Sequence, residues 1–395
     1  MSLLLIHNAE VFAPAALGVR HLLLGGGHIL WMGRERPDLP VALAPRVIDL
    51  EGRRLIPGLI DGHVHVTGGG GEGGYHTRVP PLALSRFTAH GITTVVGLLG
   101  TDDVMRGPRE LLAGVYALRA EGLSAFAYAG GYHLPLATLT GTVRGDLVFI
   151  DALIGAGEVA LSDHRSSQPT LDELLRLAAE VHVAGLLTGK AGIVHLHLGD
   201  GPRGLELVRQ ALATSELPAR VFQPTHVNRR KALFEEAIAL ARGGSHIDLT
   251  AFPVEDGEDA WSASDALIRY LDSGAPAQGV SISSDAGGSL PCFDTCGHMT
   301  HMDVGDSGAL LATLNELLAR GVPLPQVLPA FTSNPAHLLR LARKGRVEVG
   351  ADADLVALAA DGSADLVIAG GVVHVRDGQL QIRGTFESAR RETRD

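Results

Sequence analysis

The chain has 395 residues, of which 46% are hydrophobic and 19% charged, and carries a formal net charge of -11. That balance excludes a disordered chain and argues against a nucleic-acid-binding or anionic-membrane-binding surface, so neither partner is expected. The length predicts one large domain beside a smaller one, and the pairing of 50 glycines with only 4% aromatic residues suits tight turns around a Leu/Val/Ala core.

The first ten residues, Met1 to Glu10, include no basic segment, and their apolar run is too short for a secretion signal. No apolar run is long enough to span a bilayer. Cysteine is confined to Cys292 and Cys296. Their C-x-x-x-C spacing near Asp285 could hold a metal, but two thiols in so long a chain read more simply as reduced residues. A cytoplasmic protein is expected.

Residues 1–54 read as short strands at Leu3–Ile6, Val19–Leu24 and His28–Met32, with turns such as Gly25-Gly26-Gly27. Residues 346–395 read the same way, at Leu355–Leu358, Leu366–Ile368, Gly371–Arg376 and Leu380–Ile382. Both ends together predict a small β-sandwich domain, 1–54 plus 346–395. Between them, over 55–345, apolar strands alternate with helical patterns. The strands are expected at Leu55–Ile60, Thr93–Leu98, Ala125–Ala129, around Leu153–Leu161, Ile193–Leu198, Arg220–Gln223, His246–Leu249 and Val280–Ser283. The helices are expected at Pro81–His90, Pro108–Glu121, Thr170–Val183, Gly204–Ala213, Arg230–Arg242, Ser264–Ser273, Ala309–Arg320 and Pro325–Ala330. This alternation predicts the α/β class and a (β/α)8 TIM barrel. The competing open, doubly wound sheet lacks a G-x-G-x-x-G after a strand. The Gly68–Gly71 run lies in a loop and opens no clear helix.

In such a barrel, chemistry gathers at the C-terminal ends of the strands. The first strand runs into His63 and His65, which face the same way in extended chain. His195 and His197 also share a face, so one can be a ligand with the other deeper. His197, nearer the strand's end, is the better candidate. His226 ends the next strand, with a helix-capping role as its alternative. Asp285 follows Ser283-Ser284 and reads as a ligand and proton carrier, with an N-cap as its alternative. Imidazole and carboxylate suit zinc and similar ions. Four histidines and an aspartate exceed one structural tetrahedral site and point to a catalytic centre with two divalent metal ions, zinc expected. His76, His133, His164, His298 and His301 are expected in loops, solvated or facing substrate.

Two metals need a shared anion besides water. A carbamylated lysine could serve, but none of the three lysines suits. Lys231 lies in a helix after His226, Lys344 near the terminal domain, and Lys190 at the wrong end of a strand. Glu158, within the apolar run Leu153–Leu161, is the best substitute, because an ionised glutamate there is costly unless paired or metal-bound. An exposed turn beside Gly157 is the alternative.

These residues resemble the pattern of the amidohydrolase superfamily, and the longer motifs resemble its isoaspartyl (β-aspartyl) dipeptidases. The likeness covers almost the whole chain. It includes Pro57-Gly58 through His65, Gly68-Gly69-Gly70-Gly71-Glu72, Val95-Val96-Gly97-Leu98-Leu99-Gly100-Thr101-Asp102, Ser162-Asp163-His164-Arg165-Ser166, Pro224 through Arg229, and Ser283-Ser284-Asp285. Most members of the family carry the carbamylated lysine four residues before the serine of S-D-H-R-S. Here that position holds Glu158, and the Gly155-Ala156-Gly157 stretch reads one residue longer than usual.

The resemblance implies metal-dependent hydrolysis of β-aspartyl dipeptides by a hydroxide shared between two metals. Asp285 is then the general base and acid, and Glu158 the bridging carboxylate. By the same resemblance Tyr132 stabilises the developing oxyanion, Glu72 with Thr101 and Ser289 holds the substrate ammonium, and Arg165 and Arg229 hold its carboxylates. Planar guanidinium groups suit that task. A homo-oligomer is also implied. The rivals are another amidohydrolase, dihydroorotase-like or acting on N-acyl amino acids, and a catalytically weak scaffold barrel.

Overall fold

The structure, a computed structural model, describes residues 3–293 and 298–387. Strands from both ends of the chain share one nine-stranded sheet. Leu4–Phe12 pairs in antiparallel fashion with Ala16–Gly25, and Arg54–Pro57 lies between Leu4–Phe12 and Leu355–Leu358. The core of this sheet holds Leu4, Ile6, Val11, Leu22, Ile29, Leu355, Leu366 and Ile368, all buried.

Six parallel strands and a further parallel pair follow in the middle of the chain. They are labelled β1 (Leu59–Val64), β2 (Ile92–Gly97), β3 (Ser124–Ala129), β4 (Leu153–Leu161), β5 (Val194–Leu198), β6 (Phe222–Thr225), β7 (Ile247–Thr250) and β8 (Val280–Ser283). The backbone ladder runs unbroken from β1 to β6, and a second joins β7 to β8. Side chains carry the arrangement from β6 to β7: Thr225 donates to Asp248 Oδ2 at 2.8 Å, and Asn228 bonds the Thr250 carbonyl and amide. The end of β8 returns to β1. The Ser284 amide donates to Asp61 Oδ1 at 3.1 Å, and the His65 amide to the Ala286 carbonyl at 2.8 Å.

Helices cover the outside of these strands. Leu171–Thr188 begins with a reciprocal capping box between Thr170 and Glu173 and buries Leu174, Leu177, Ala178, Val181 and Ala184 along one side. Such a cap contributes about 1 kcal/mol. Pro108–Ala120 starts with proline at its first turn, where the missing amide costs nothing.

Several expected elements differ. The stretch 55–60 is not one strand: it divides at Gly58, with Arg54–Pro57 in the terminal sheet and β1 beginning at Leu59. A Cβ on Gly58 would lie 2.1 Å from Thr93 Oγ1, so the chain passes there only as glycine. The first helix shrinks to Leu84–Thr88, and the last expected one becomes Leu324–Val327 followed by a 3-10 turn. Helices Val143–Phe149 and Ser333–Leu338, and a hairpin of Ser289–Phe293 with Met299–Val304, carry no expectation from the sequence. His301 lies in that hairpin and His76 in a one-turn 3-10 helix, where loops are expected. No described helix is long and apolar enough to cross a membrane.

Candidate metal centre and substrate cavity

His63 falls inside β1 and His65 one residue past its end, so the alternation of the strand turns both rings to the same side. Asp285 meets them from the end of β8. Its Oδ1 lies 3.3 Å from His63 Nε2 and 3.2 Å from His65 Nε2. Asp285 and His226 both have positive φ, 53° and 59°, which turns each chain sharply at its strand's end. His226 is at the N-cap position of a 3-10 turn but makes no capping bond through its side chain, so the capping alternative does not hold.

Glu158 reaches the same place through an irregularity in β4. Val194 of β5 is opposite Ala156, but Leu196 is opposite Val159, so β4 carries one extra residue. This β-bulge re-aims the side chain that follows it. Gly157 occupies it at φ 142°, where a Cβ would stand 2.5 Å from the His195 carbonyl oxygen. Glu158 is 1% exposed, which rules out the exposed turn. Its Oε1 faces His63 Nε2 at 3.7 Å and His65 Nε2 at 3.5 Å. Its Oε2 faces His197 Nδ1 at 3.1 Å and His226 Nε2 at 3.5 Å. One carboxylate thus divides its two oxygens between two pairs of imidazoles.

Two groupings place three donor atoms within 4.8 Å of one another: His63, His65 and Asp285, and His63, Glu158 and His226. His197 stands outside both, its ring held between Glu158 and Tyr132 on one edge and Asp163 on the other. His195 lies behind the centre, with Nε2 2.8 Å from His63 Nδ1 and Nδ1 3.0 Å from Gln223 Oε1. Of the paired strand histidines, His197 is therefore the one beside Glu158. The three lysines lie elsewhere: Lys190 bonds the Leu147 and Ile150 carbonyls, Lys231 the Glu258 carbonyl, and Lys344 the carboxylates of Asp352 and Asp354.

The donor set fits divalent cations. Among the described residues His63 Nε2 and Asp285 Oδ1 are buried without a hydrogen bond although they face each other, an arrangement that a shared cation reconciles. The electrostatics agree. Burial pushes Glu158 and Asp285 up, but the surrounding imidazoles, His63 foremost, outweigh it and hold both below the usual carboxylate range. Burial works against charge on His63, and Glu158 and Asp285 overcome it, lifting its pKa to about 9. Burial lowers His226 to about 3 and takes His195 well below its usual value.

A cavity of about 730 Å³ opens above this centre. His65, Tyr132, Glu158, His197, His226 and Asp285 line it together with Glu72, Thr101, Arg165, Arg229 and Ser289. Every expected site residue except His63, which lies fully buried beneath, reaches this wall. Glu72 accepts from Thr101 Oγ1 at 3.1 Å, from Ser289 Oγ at 3.0 Å and from Arg165 at 3.3 Å. Tyr132 OH lies 2.8 Å from His197 Nδ1, and burial, then Glu158, raise its pKa well above the ordinary phenol value. Arg229 pairs with Asp200 at 2.8 Å and donates to the Leu198 carbonyl.

The hairpin contributes Leu290, Pro291 and exposed Cys292 to the rim, and Cys296 lies outside the described residues. The sequence reading also passes over Asp163, Asp200 and Arg106. Asp163 stands in the S-D-H-R-S run, two residues before Arg165, which is the signal that could have found it.

Comparison with known proteins accords with this arrangement. Residues 54–374 match the amidohydrolase family. The β-aspartyl dipeptidase of Fervidobacterium islandicum AW-1, solved with β-Asp-Leu dipeptide, superposes with a TM-score of 0.90 at 40% identity, covering 96% of this chain and 98% of that one. An imidazolonepropionase of Deinococcus deserti is 25% identical over 378 residues, 90% of this chain and 89% of its own. A deacetylase of Agrobacterium fabrum is 26% identical over 360 residues, 84% of this chain and 76% of its own. The chain belongs to the amidohydrolase family and, within it, to the β-aspartyl dipeptidases.

Proposed function

We propose that the protein hydrolyses β-aspartyl dipeptides at a two-metal centre, on a (β/α)8 barrel of residues 55–345 flanked by a small β domain of 1–54 plus 346–395. The observation that carries this reading is the pairing, in one cavity, of the divided Glu158 carboxylate with the Glu72, Thr101, Ser289 and Arg165 cluster. A hydrolase needing only the metals has no use for that second cluster.

His63, His65 and Asp285 would hold one ion, His197 and His226 the other, and Glu158 would join them. Zinc suits this set of imidazoles and carboxylates. When bound, such ions supply Lewis acidity and make water more acidic.

The chain's own groups supply the rest. Glu72, backed by Thr101 and Ser289, binds the substrate ammonium, and Arg165 and Arg229 take its two carboxylates. Tyr132, kept protonated by burial, donates its hydroxyl hydrogen to the carbonyl oxygen as charge develops there. Asp285, held ionised, accepts the proton of the attacking water and returns it to the leaving amine. The amide C–N bond breaks, and aspartate and the second amino acid leave.

The test is hydrolysis of β-Asp-Leu against α-Asp-Leu by zinc-loaded protein, with metal content measured in the same sample. Cleavage of the β isomer with about two ions per chain is expected. No cleavage by a fully loaded sample overturns the dipeptidase reading, and unchanged metal content and activity in Glu158→Ala overturns the bridge. The family resemblance also implies a homo-oligomer, which light scattering would detect.

A further inference from the structure

Three of the four imidazoles around Glu158 have their other ring nitrogen tied. His63 Nδ1 meets His195 at 2.8 Å, His226 Nδ1 meets Thr250 Oγ1 at 2.7 Å, and His197 Nε2 meets Asp163 Oδ2 at 3.0 Å. Asp163 differs from the other two partners: it is an ion, and it also holds Arg165. Its Oδ1 accepts from the Arg165 amide at 2.7 Å and from Arg165 Nε at 3.0 Å, while Oδ2 accepts from Arg165 Nη2 at 2.8 Å. Its side chain is only 4% exposed.

The backbone fixes it as firmly. Ser162, just past β4, adopts a left-handed conformation with φ 51°, which turns Asp163 toward β5. Gly199, past the end of β5, packs against it so closely that a Cβ there would stand 2.5 Å from Asp163 Cβ. The Asp163 carbonyl accepts from Gln168 Nε2 at 2.8 Å. The carboxylate therefore has a defined position set by two strand ends.

We infer that Asp163 is a positioning residue that couples the metal centre to the substrate pocket, orienting the His197 ring and the Arg165 guanidinium at once. This rests on the reading of His197 as a ligand and Arg165 as a carboxylate anchor. An ionised carboxylate only accepts, so Nε2 of His197 carries the ring hydrogen and Nδ1 keeps the lone pair. That lone pair faces Glu158 Oε2 and Tyr132 OH, the side where the second ion would be held. Carboxylates behind ligating histidines fix tautomer and ring orientation in just this way. The same two oxygens hold Arg165 through Nε and Nη2, which leaves Nη1 directed to Glu72 at 3.3 Å. A change at one carboxylate must then appear in two measurements that are otherwise independent.

The experiment compares wild type with Asp163→Asn, Asp163→Leu and Arg165→Lys. It measures zinc affinity by chelator competition, KM and kcat for β-Asp-Leu, and the ring N–H resonance of His197 by 15N NMR. Loss of such an outer partner typically weakens metal binding by roughly 10–100-fold. We expect Asp163→Leu to weaken the second zinc by that range, to raise KM by about tenfold or more, and to lose the Nε2–H resonance. Asp163→Asn keeps the volume and an acceptor oxygen but not the charge. It should fall between, and it carries the test if the leucine variant does not fold. Arg165→Lys should raise KM and leave zinc affinity as it was. Zinc affinity within twofold of wild type in every folded Asp163 variant overturns the inference. So does a His197 resonance that the substitutions do not move. Failure of wild type to cleave β-Asp-Leu would instead overturn the proposed substrate, with the zinc and NMR comparisons still deciding the role of Asp163.

Discussion

The two halves of the metal centre are built differently. On the β1 and β8 side, His63 Nε2 and Asp285 Oδ1 face each other, buried with no hydrogen bond among the described residues. On the β4 to β6 side, His197 is already engaged by Tyr132, Glu158 and Asp163, and His226 by Thr250. Unmade bonds in a buried site are costly, and a cation is the partner that removes the cost for facing acceptors. The first half therefore leaves facing groups for a cation to join, while the second can satisfy its polar groups internally. The ion on the β1 and β8 side should be the tighter of the two.

The largest effect that could break this contrast belongs to Asp285, proposed above both as a ligand of the tighter half and as the proton carrier. Asp285→Ala should lower kcat for β-Asp-Leu by roughly 10²–10⁴-fold. Steady-state rates that retain a tenth of wild-type kcat would refute that assignment.

The contrast itself is sharpened by comparing His65→Ala with His226→Ala in a stepwise zinc titration. Loss of an outer partner already costs roughly 10–100-fold, so loss of a ligand should exceed about 100-fold. The first variant should lose the tight step and the second the weak one. A weak step lost in both would show that the halves are not distinct.

A smaller effect is expected at Arg106, outside both halves. It is buried and donates to the Thr67 carbonyl at 3.1 Å, the Val79 carbonyl at 2.7 Å and Asp102 at 2.9 Å. These bonds close the base of the loop that carries Glu72 and join it to the turn that carries Thr101. Arg106→Ala should raise KM by about tenfold, near 1.4 kcal/mol, with zinc content unchanged. Loss of metal in that variant would place Arg106 with the centre instead of the pocket.

The smallest effect lies at the opposite end of the strands. His246 precedes β7, is buried, and has its pKa lowered to about 3 by burial and then by His337. Above pH 6.5 the ring is neutral folded or unfolded. Below it, the unfolded chain takes up a proton that the folded one refuses. Stability contributed here is therefore complete above about pH 6.5 and lost as pH falls toward 3, by up to about 1.4 kcal/mol per unit. Urea unfolding of His246→Phe against wild type at pH 7 and pH 5 should show a shallower pH dependence in the variant. Equal slopes would remove His246 from the account.

These differences separate what the sequence declared from what it concealed. His63 and His65 were legible because a strand's period of two needs no knowledge of the rest of the fold, and Glu158 because a lone acid in an apolar run demands a partner. The extra residue in β4 was visible as Gly155-Ala156-Gly157, yet its geometric role needed the register with β5. The hairpin escaped notice because Pro291 interrupts its first strand and the second, Met299–Val304, is largely exposed, so neither shows a buried face. Asp163 and Arg106 were legible as residues but not as roles. Asp163 meets His197 34 positions away and Arg106 meets the Val79 carbonyl 27 positions away, contacts that only the fold brings near.

The division at Gly58 has a consequence for how the molecule comes apart. Arg54–Pro57 sits inside the terminal sheet, bonded on both sides, and one residue later the same segment becomes the strand that delivers His63 and His65. The terminal sheet is thus stitched through the catalytic end by its own thread. Truncating either end of the chain should unseat the strand that is proposed to anchor the tighter ion. Deletion of the last strands, far from the cavity, should register first as released zinc, so a colorimetric zinc indicator would report damage at the molecule's margin.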